Sequence, residues 1–364
     1  MSSTQRLYSL DILRGITVAG MILVNNGWGE SFEMLGHSAW NGMTPCDLVF
    51  PFFLFIMGIS CYLSLVKSAF QPTVPVIRRI VKRTVLLFAI GLLINWFENA
   101  IWGDVLCFDH LRLWAVLQRI ALCYGIVSLY ALFCPHRYTI PTIVVLLAVY
   151  AAILLLGHGY VEDASVNVLA QVDLQLFGAD HLYHKSAVDP EGLLGTISSV
   201  AHVLLGFYCG MLIRQRETVE QKVIALFVVG ALCVIGGYLL SYGLPLNKRI
   251  WSPSYVLMTC GLAALLQALL MCAIDLYSQQ STRFTQSLRT FFHVFGVNAL
   301  ALYVSSELLA ILLGYLGVSA SVYEAIHTVI APLKWASLAY ALYFVLLNFS
   351  IGYVLYRKKI YIKL

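Results

Sequence analysis

The chain has 364 residues, 60% of them hydrophobic and only 11% charged. A soluble domain has about a quarter of its residues charged, so this composition excludes an ordinary soluble fold and implies a polytopic membrane protein. The formal net charge of +5 gives no argument for nucleic acid, because the basic residues gather at the ends of apolar runs, where membrane topology accounts for them.

A helix needs about 20 apolar residues to cross a bilayer. Ten runs qualify, at 10–26, 47–66, 80–97, 113–133, 140–156, 194–213, 223–240, 255–277, 291–313 and 336–356. Backbone groups in hydrocarbon must satisfy one another, which makes an all-α bundle the expected fold class. The first run lacks the basic, apolar and small-residue order of a cleaved signal and is expected to be retained as a span. An even number of spans puts both termini on one side. With that side cytoplasmic, the inner segments hold 17 of the 23 Lys and Arg residues, from Arg6 to Lys363. The outer segments hold five, Arg112, Lys185, Lys248, Arg249 and Lys334, and Arg119 is left inside a span. Glu162, Asp163, Asp173, Asp180, Asp189 and Glu191 fall in one long outer connection, 157–193. No repeat or low-complexity segment divides the chain, so one transmembrane domain is expected over 1–364. Nine cysteines without a CxxC pair read as small buried apolar residues, and no metal-ligand spacing is present.

The chemically capable side chains are densest between the first two spans, in NNGWGESFEMLGHSAWNGMTPCDLVFPFFLFIMG, residues 25–58. His37 exchanges a proton near neutral pH, Asn25 donates or accepts a hydrogen bond, and Asp47 places a carboxylate at the mouth of a span. Each has a plainer reading: a solvated loop histidine, a polar helix end, and an N-terminal cap following Thr44 and Pro45. Trp40, Asn41 and Gly42 offer an aromatic wall, a polar tip and a turn, a surface on which a sugar ring can stack. Gln118 and Arg119 lie within an apolar run, where a guanidinium needs a partner or an aqueous cavity. Glu307 is the intramembrane acid expected to pair with it.

The 25–58 stretch resembles the transmembrane acyltransferases typified by heparan-alpha-glucosaminide N-acetyltransferase. So do RLYSLDILRG (6–15), VLQRI (116–120), DPEGLLGT (189–196), WSPSYV (251–256) and YRKK (356–359), in the same order along the chain. The resemblance implies transfer of an acetyl group from cytosolic acetyl-CoA to the amine of an amino sugar across the membrane. The acceptor would be a glucosamine-type unit, as at the end of a heparan-like or envelope glycan. His37 is then the catalytic residue, either as general base or as acyl carrier, with Asn25 as an orienting or oxyanion-binding group and Asp47 beside it.

Under this reading Arg79 and Arg83, four residues apart on one helix face, meet the CoA phosphates, as does Lys358. Gln118 and Arg119 form a polar wall for the cofactor. Trp40, Asn41, Asp189, Glu191, Trp251, Ser252 and Glu307 are the candidate acceptor-binding residues. The basic clusters serve equally as topology signals, and the loop acids as solvated groups. The resemblance is to a bacterial-type homologue without a large soluble domain, which implies an inner membrane with the hairpin facing the periplasm and leaves room for a homodimer. Two other classes remain open: an O-acyltransferase of an envelope glycan or lipid, distinguished by an ester product, and a solute transporter, distinguished by flux without thioester cleavage.

Overall fold

The structure is a computed structural model that describes residues 7–183, 186–276 and 283–362, except the side chains of 283–285. Arg6, Lys185, Lys363, Tyr277 and the side chain of Arg283, all used in the topology reading, lie outside the described residues. Along those residues run thirteen α-helices, with no strand among them. They are α1 (Tyr8–Asn25), α2 (Val49–Leu65), α3 (Val74–Ile101), α4 (Val116–Phe133), α5 (Thr139–Leu156), α6 (Val168–Phe177), α7 (Gly195–Gln215), α8 (Val219–Leu240), α9 (Pro253–Leu270), α10 (Arg283–Val297), α11 (Ala299–Tyr315), α12 (Val318–Val329) and α13 (Leu333–Arg357). Among the described residues nine helical segments are long and apolar enough to cross a membrane, or ten if α10 and α11 count together.

That pair corrects the expectation of one continuous span over 291–313. The helices meet at 81°, because Asn298 leaves the helical region (φ −123°, ψ 34°). Its side chain serves the C-terminal segment instead: Nδ2 donates to Ile360 O at 3.0 Å, and Oδ1 accepts from Ile362 N at 2.9 Å. An apolar run does not reveal such a bend, since the residues on both sides remain hydrophobic.

Elsewhere the helix boundaries follow capping chemistry. Asn167, Thr218 and Ser252 accept from Leu169 N, Gln221 N and Tyr255 N at the starts of α6, α8 and α9. Each satisfies a backbone donor that would otherwise be orphaned. Ahead of α2, Thr44 and Asp47 form a reciprocal capping box on the 3-10 turn Pro45–Leu48, with Pro45 at its start.

The core is built on close helix crossings. Lipid supplies no hydrophobic drive for helix association, so backbones must approach through small residues. Gly58 of α2 lies against the Val203 carbonyl of α7, and Gly206 of α7 against the Phe55 carbonyl of α2. Leu54, Phe55, Ile59, Leu204 and Phe207 are buried around this crossing. Gly15 and Gly296 do the same for α1 and α10. α5 and α8 turn Val144, Val145, Ile224 and Leu232 outward, as helices facing acyl chains do.

The connections at one end of the bundle interlock. Trp40 Nε1 donates to Tyr160 O at 2.8 Å, Gly42 N to Leu246 O at 2.7 Å, and Leu113 N to His181 O at 3.1 Å. The α1–α2 hairpin, residues 26–48, is thereby docked onto the α5–α7 and α8–α9 connections.

Candidate active site

The hairpin is organised by a buried carboxylate. Asp47 has no exposed side-chain surface, and its Oδ2 accepts from Ser38 N (3.2 Å), Thr44 N (3.0 Å) and Thr44 Oγ1 (3.1 Å). Oδ1 meets His37 Nδ1 at 2.8 Å and lies 3.5 Å from Lys248 Nζ. Removal of a carboxylate from water costs several kcal/mol, about the amount that such a full set of donors returns. The capping reading of Asp47 and its proximity to His37 are therefore one arrangement: the cap holds the carboxylate where the imidazole can donate to it.

The tautomer that donates Nδ1–H to Asp47 leaves Nε2 as the acceptor nitrogen of His37, and Lys248 Nζ lies 3.2 Å from it. The His37 side chain is 49% exposed and lies on the walls of two cavities. The larger, about 570 Å³, is lined by Asn25, Asp47, Gln118, Glu191, Lys248 and Glu307 among others. The smaller, about 190 Å³, shares Asn25 and His37 and is completed by Leu35, Cys46, Ser337 and Ala341. Asn25 reaches Glu307 Oε1 with its amide at 3.4 Å. Neighbouring Asn26 is buried and turns back to donate to Ile22 O at 2.8 Å. Of the two asparagines, Asn25 faces the cavities.

Gln118 is fully buried at the cavity wall, with neither amide atom hydrogen-bonded. Gly91 of α3 lies so close that a Cβ there would collide with the amide. Glu191 lines the cavity and binds Arg112 Nη2 at 2.9 Å.

Several expected contacts are not made. Arg119 does not pair with Glu307 and does not line the cavity: it is buried, donates from Nη2 to Gly192 O at 2.7 Å and sits over the Trp251 ring at 5.4 Å. Trp251 itself is 1% exposed and packed between Phe50 and Tyr255, so its ring has no free face for a sugar. Trp40 is likewise packed, against Tyr150 and Leu154. Ser252 is buried as the cap of α9, and Asn41 accepts from Asn247 Nδ2 at 3.2 Å outside the cavity walls. The Asp189 carboxylate has no exposed surface: it binds Arg112 Nη2 at 3.2 Å and the backbone N–H groups of Tyr183 and Glu191. Aromatic and acidic residues in outer connections suit a sugar, which is why the sequence points to these positions. Packing demand uses them instead. Arg79 is exposed, Arg83 lies over the Tyr124 ring at 4.5 Å, and Lys358 is exposed beyond α13. Arg83 and Arg79 precede Gly91, the first cavity-lining residue of α3, by about 12 and 18 Å of helix axis.

Lys248, Cys46, Arg112 and Tyr303 also line the cavities, although no sequence motif marks them as site residues. Their sequence signal is faint. Lys248 stands out only as one outer charge three residues before the 251–256 block.

Behind the site, burial pushes the Asp173 carboxyl up to about 6. Asp189 reinforces the shift, while the Leu193 N–H and Arg119 oppose it. A carboxyl that holds its proton more tightly when folded contributes stability below its unfolded pKa, and that contribution is lost as pH rises toward 6. Thermal unfolding in detergent should show a loss of up to about 3 kcal/mol between pH 4 and 6 from this group. Asp173→Asn should remove that part of the slope, and an unchanged slope would reject the assignment.

The sequence matches the family model described as "Heparan-alpha-glucosaminide N-acetyltransferase, catalytic" over residues 6–244. It is 29% identical to heparan-alpha-glucosaminide N-acetyltransferase of Mus musculus over 406 residues, covering 94% of this chain and 60% of the mouse protein. For the Homo sapiens protein of the same name the identity is 28% over 427 residues, covering 99% of this chain and 60% of the relative. The chain thus spans 60% of the length of these relatives. The matched region begins at the foot of α1 and carries the whole His37 hairpin, and on that match the chain belongs to the heparan-alpha-glucosaminide N-acetyltransferase family.

Proposed function

We propose that the protein transfers an acetyl group from cytosolic acetyl-CoA to the amine of an amino sugar at the opposite membrane face, with His37 as general base. The observation that carries this reading is the contact of His37 with buried Asp47 at 2.8 Å, beside a cavity of about 570 Å³. In the proposed step the amine nitrogen attacks the thioester carbonyl carbon and its proton passes to His37 Nε2. The tetrahedral intermediate then collapses, the carbon–sulfur bond breaks, and the CoA thiolate takes the proton back from the imidazolium. Asn25 has a donor amide at the same cavity and supports the developing oxyanion. Direct transfer needs no further acyl carrier.

The donor arm has a matching feature. An extended pantetheine chain is on the order of 15 Å by bond lengths, comparable with the α3 distance from Arg83 to Gly91. Its amides suit the unpartnered Gln118 side chain. Gln118→Leu should therefore raise the KM for acetyl-CoA by about 3- to 10-fold, the worth of one neutral hydrogen bond. The KM for the acceptor should stay within twofold, and the reverse pattern would move Gln118 to the acceptor.

The deciding experiment is incubation of purified protein with acetyl-labelled CoA and a panel of amino sugars, followed by mass analysis. Acceptor-dependent amide formation is expected. Ester formation on hydroxyls alone, or thioester left intact with every acceptor, would overturn the proposal. The charge asymmetry of the connections supports the sidedness, which an impermeant thiol label at single cysteines introduced at 37 and 358 would test.

A further inference from the structure

We infer that Glu307 and Glu98 form the subsite that captures the acceptor's amino group, and that they select an amine over a hydroxyl. This rests on the reading of the larger cavity as the place where acceptor and thioester meet. Four acids line that cavity: Asp47, Glu98, Glu191 and Glu307. Two have cationic partners, since Lys248 Nζ lies 3.5 Å from Asp47 Oδ1 and Arg112 Nη2 binds Glu191 at 2.9 Å. Arg249, also on the wall, is engaged with Ser186 Oγ at 2.6 Å. Among the described residues no lysine, arginine or histidine pairs with Glu98 or Glu307.

The fold presents both carboxylates to one space. Gly91, Asn95 and Glu98 of α3, and Tyr303, Glu307 and Ala310 of α11, recur at intervals of four and then three residues, so each helix turns one stripe to the cavity. α3 packs against α11, and at their ends the rings of Trp102 and Tyr315 meet edge-on at 5.3 Å. Asn95 Nδ2 donates to Arg112 O at 2.7 Å and Trp96 Nε1 to Val105 O at 3.0 Å, which fixes the end of α3 that carries Glu98. Glu98 is near enough for its charge to act on Glu307. An acid within a span is expensive in lipid and is kept where it faces a partner or an aqueous path. Asn25 Nδ2 meets Glu307 Oε1 at 3.4 Å, beyond the usual range for an N–H···O bond, so a stronger donor can take its place.

A second feature of the wall points to a ligand in the same space. Gln118, fully buried beside Gly91, has neither amide atom paired, and a buried amide is left so where a ligand or water completes it. Glu98 lies seven residues beyond Gly91, about 10 Å along the axis of α3. A thioester arm at Gln118 and an amino group at the carboxylates would therefore approach each other from two ends of one cavity. An ammonium offers three N–H donors and a charge, and charge-assisted bonds to a carboxylate are about twice as strong as neutral ones. A hydroxyl offers one donor and no charge. The neutral amine, formed from the ammonium by loss of a proton to water, keeps two N–H donors for the carboxylates and its lone pair for the thioester.

The test is calorimetric binding of glucosamine and of glucose, the same ring with and without the amine, to the purified protein in detergent. Wild type, Glu307→Gln and Glu98→Gln are compared after a check for unchanged helical content and thermal midpoint. Wild type should bind glucosamine more tightly than glucose. Glu307→Gln should weaken glucosamine binding by about 10- to 100-fold, the worth of a hydrogen bond to a charged group, and change glucose binding by less than about twofold. Glu98 is more exposed, and its glutamine variant should lose about two- to fivefold. The KM for acetyl-CoA should stay within about twofold in both. Glu98→Gln decides alone if Glu307→Gln does not fold. Equal affinity of the wild type for the two sugars overturns the inference, as does unchanged glucosamine binding in both variants. An equal loss for both sugars also overturns it, because the acids would then act through packing. Failure of the underlying reading looks different: glucosamine binding that depends on the two acids, with no acetylated product from acetyl-CoA, would keep the subsite and reject acetyl transfer.

Discussion

His37→Ala is expected to lower acetyl transfer by about 100- to 10,000-fold, the contribution of a positioned general base, or about 3 to 5.5 kcal/mol of barrier. The fold should survive. Half of the His37 side chain is exposed, and the hairpin is held by Asp47 with Ser38 and Thr44 and by the Gly42–Leu246 bond, none of which needs the imidazole. Binding of acetyl-CoA should therefore persist within a few-fold while turnover collapses. Rapid quench of wild-type protein with acetyl-CoA and no acceptor should yield no acetyl-imidazole, whereas a chemically competent acetyl-enzyme would favour the two-step route. An alanine variant with wild-type turnover would remove His37 from the chemistry.

The largest structural effect is expected from Gly206→Ala. A single methyl group there meets the Phe55 carbonyl rather than a movable side chain, and the reciprocal Gly58 leaves no slack because it faces the Val203 carbonyl. The α2 and α7 backbones would have to separate, which opens the buried layer of Leu54, Phe55, Leu204 and Phe207. Overpacking of a close core costs about 1–3 kcal/mol, and a backbone contact belongs at the upper end. Thermal unfolding in detergent should show a midpoint lowered by several degrees. Activity should fall too, because α2 begins immediately after the turn that carries Asp47, so a shift of its axis moves the carboxylate away from His37. Alanine tolerated with an unchanged midpoint would mean that the crossing is looser than the structure has it.

The class of protein, the all-α architecture and nearly all of the span positions were legible in the sequence alone. So was the concentration of polar chemistry in the α1–α2 hairpin, where Asp47 follows His37 by ten residues. Hydropathy and capping are local properties: twenty consecutive apolar residues, or a threonine three before an aspartate, suffice to express them. The tertiary structure decided what depends on partners distant in the chain. Lys248 reaches His37 across 211 residues, a juxtaposition that no spacing rule encodes. Arg119 turned to the Gly192 carbonyl and the Trp251 ring instead of Glu307, and the tryptophans expected at a sugar were drawn into packing. Asn25 and Asn26 carry the same side chain, and only the helix end sends one to the cavity and the other back to Ile22. The bend at Asn298 was hidden for the same reason: the backbone groups that its side chain satisfies lie in the C-terminal segment, more than sixty residues away. A side chain's type sets which interactions it can make, but burial and the competition among distant partners select the one it does make.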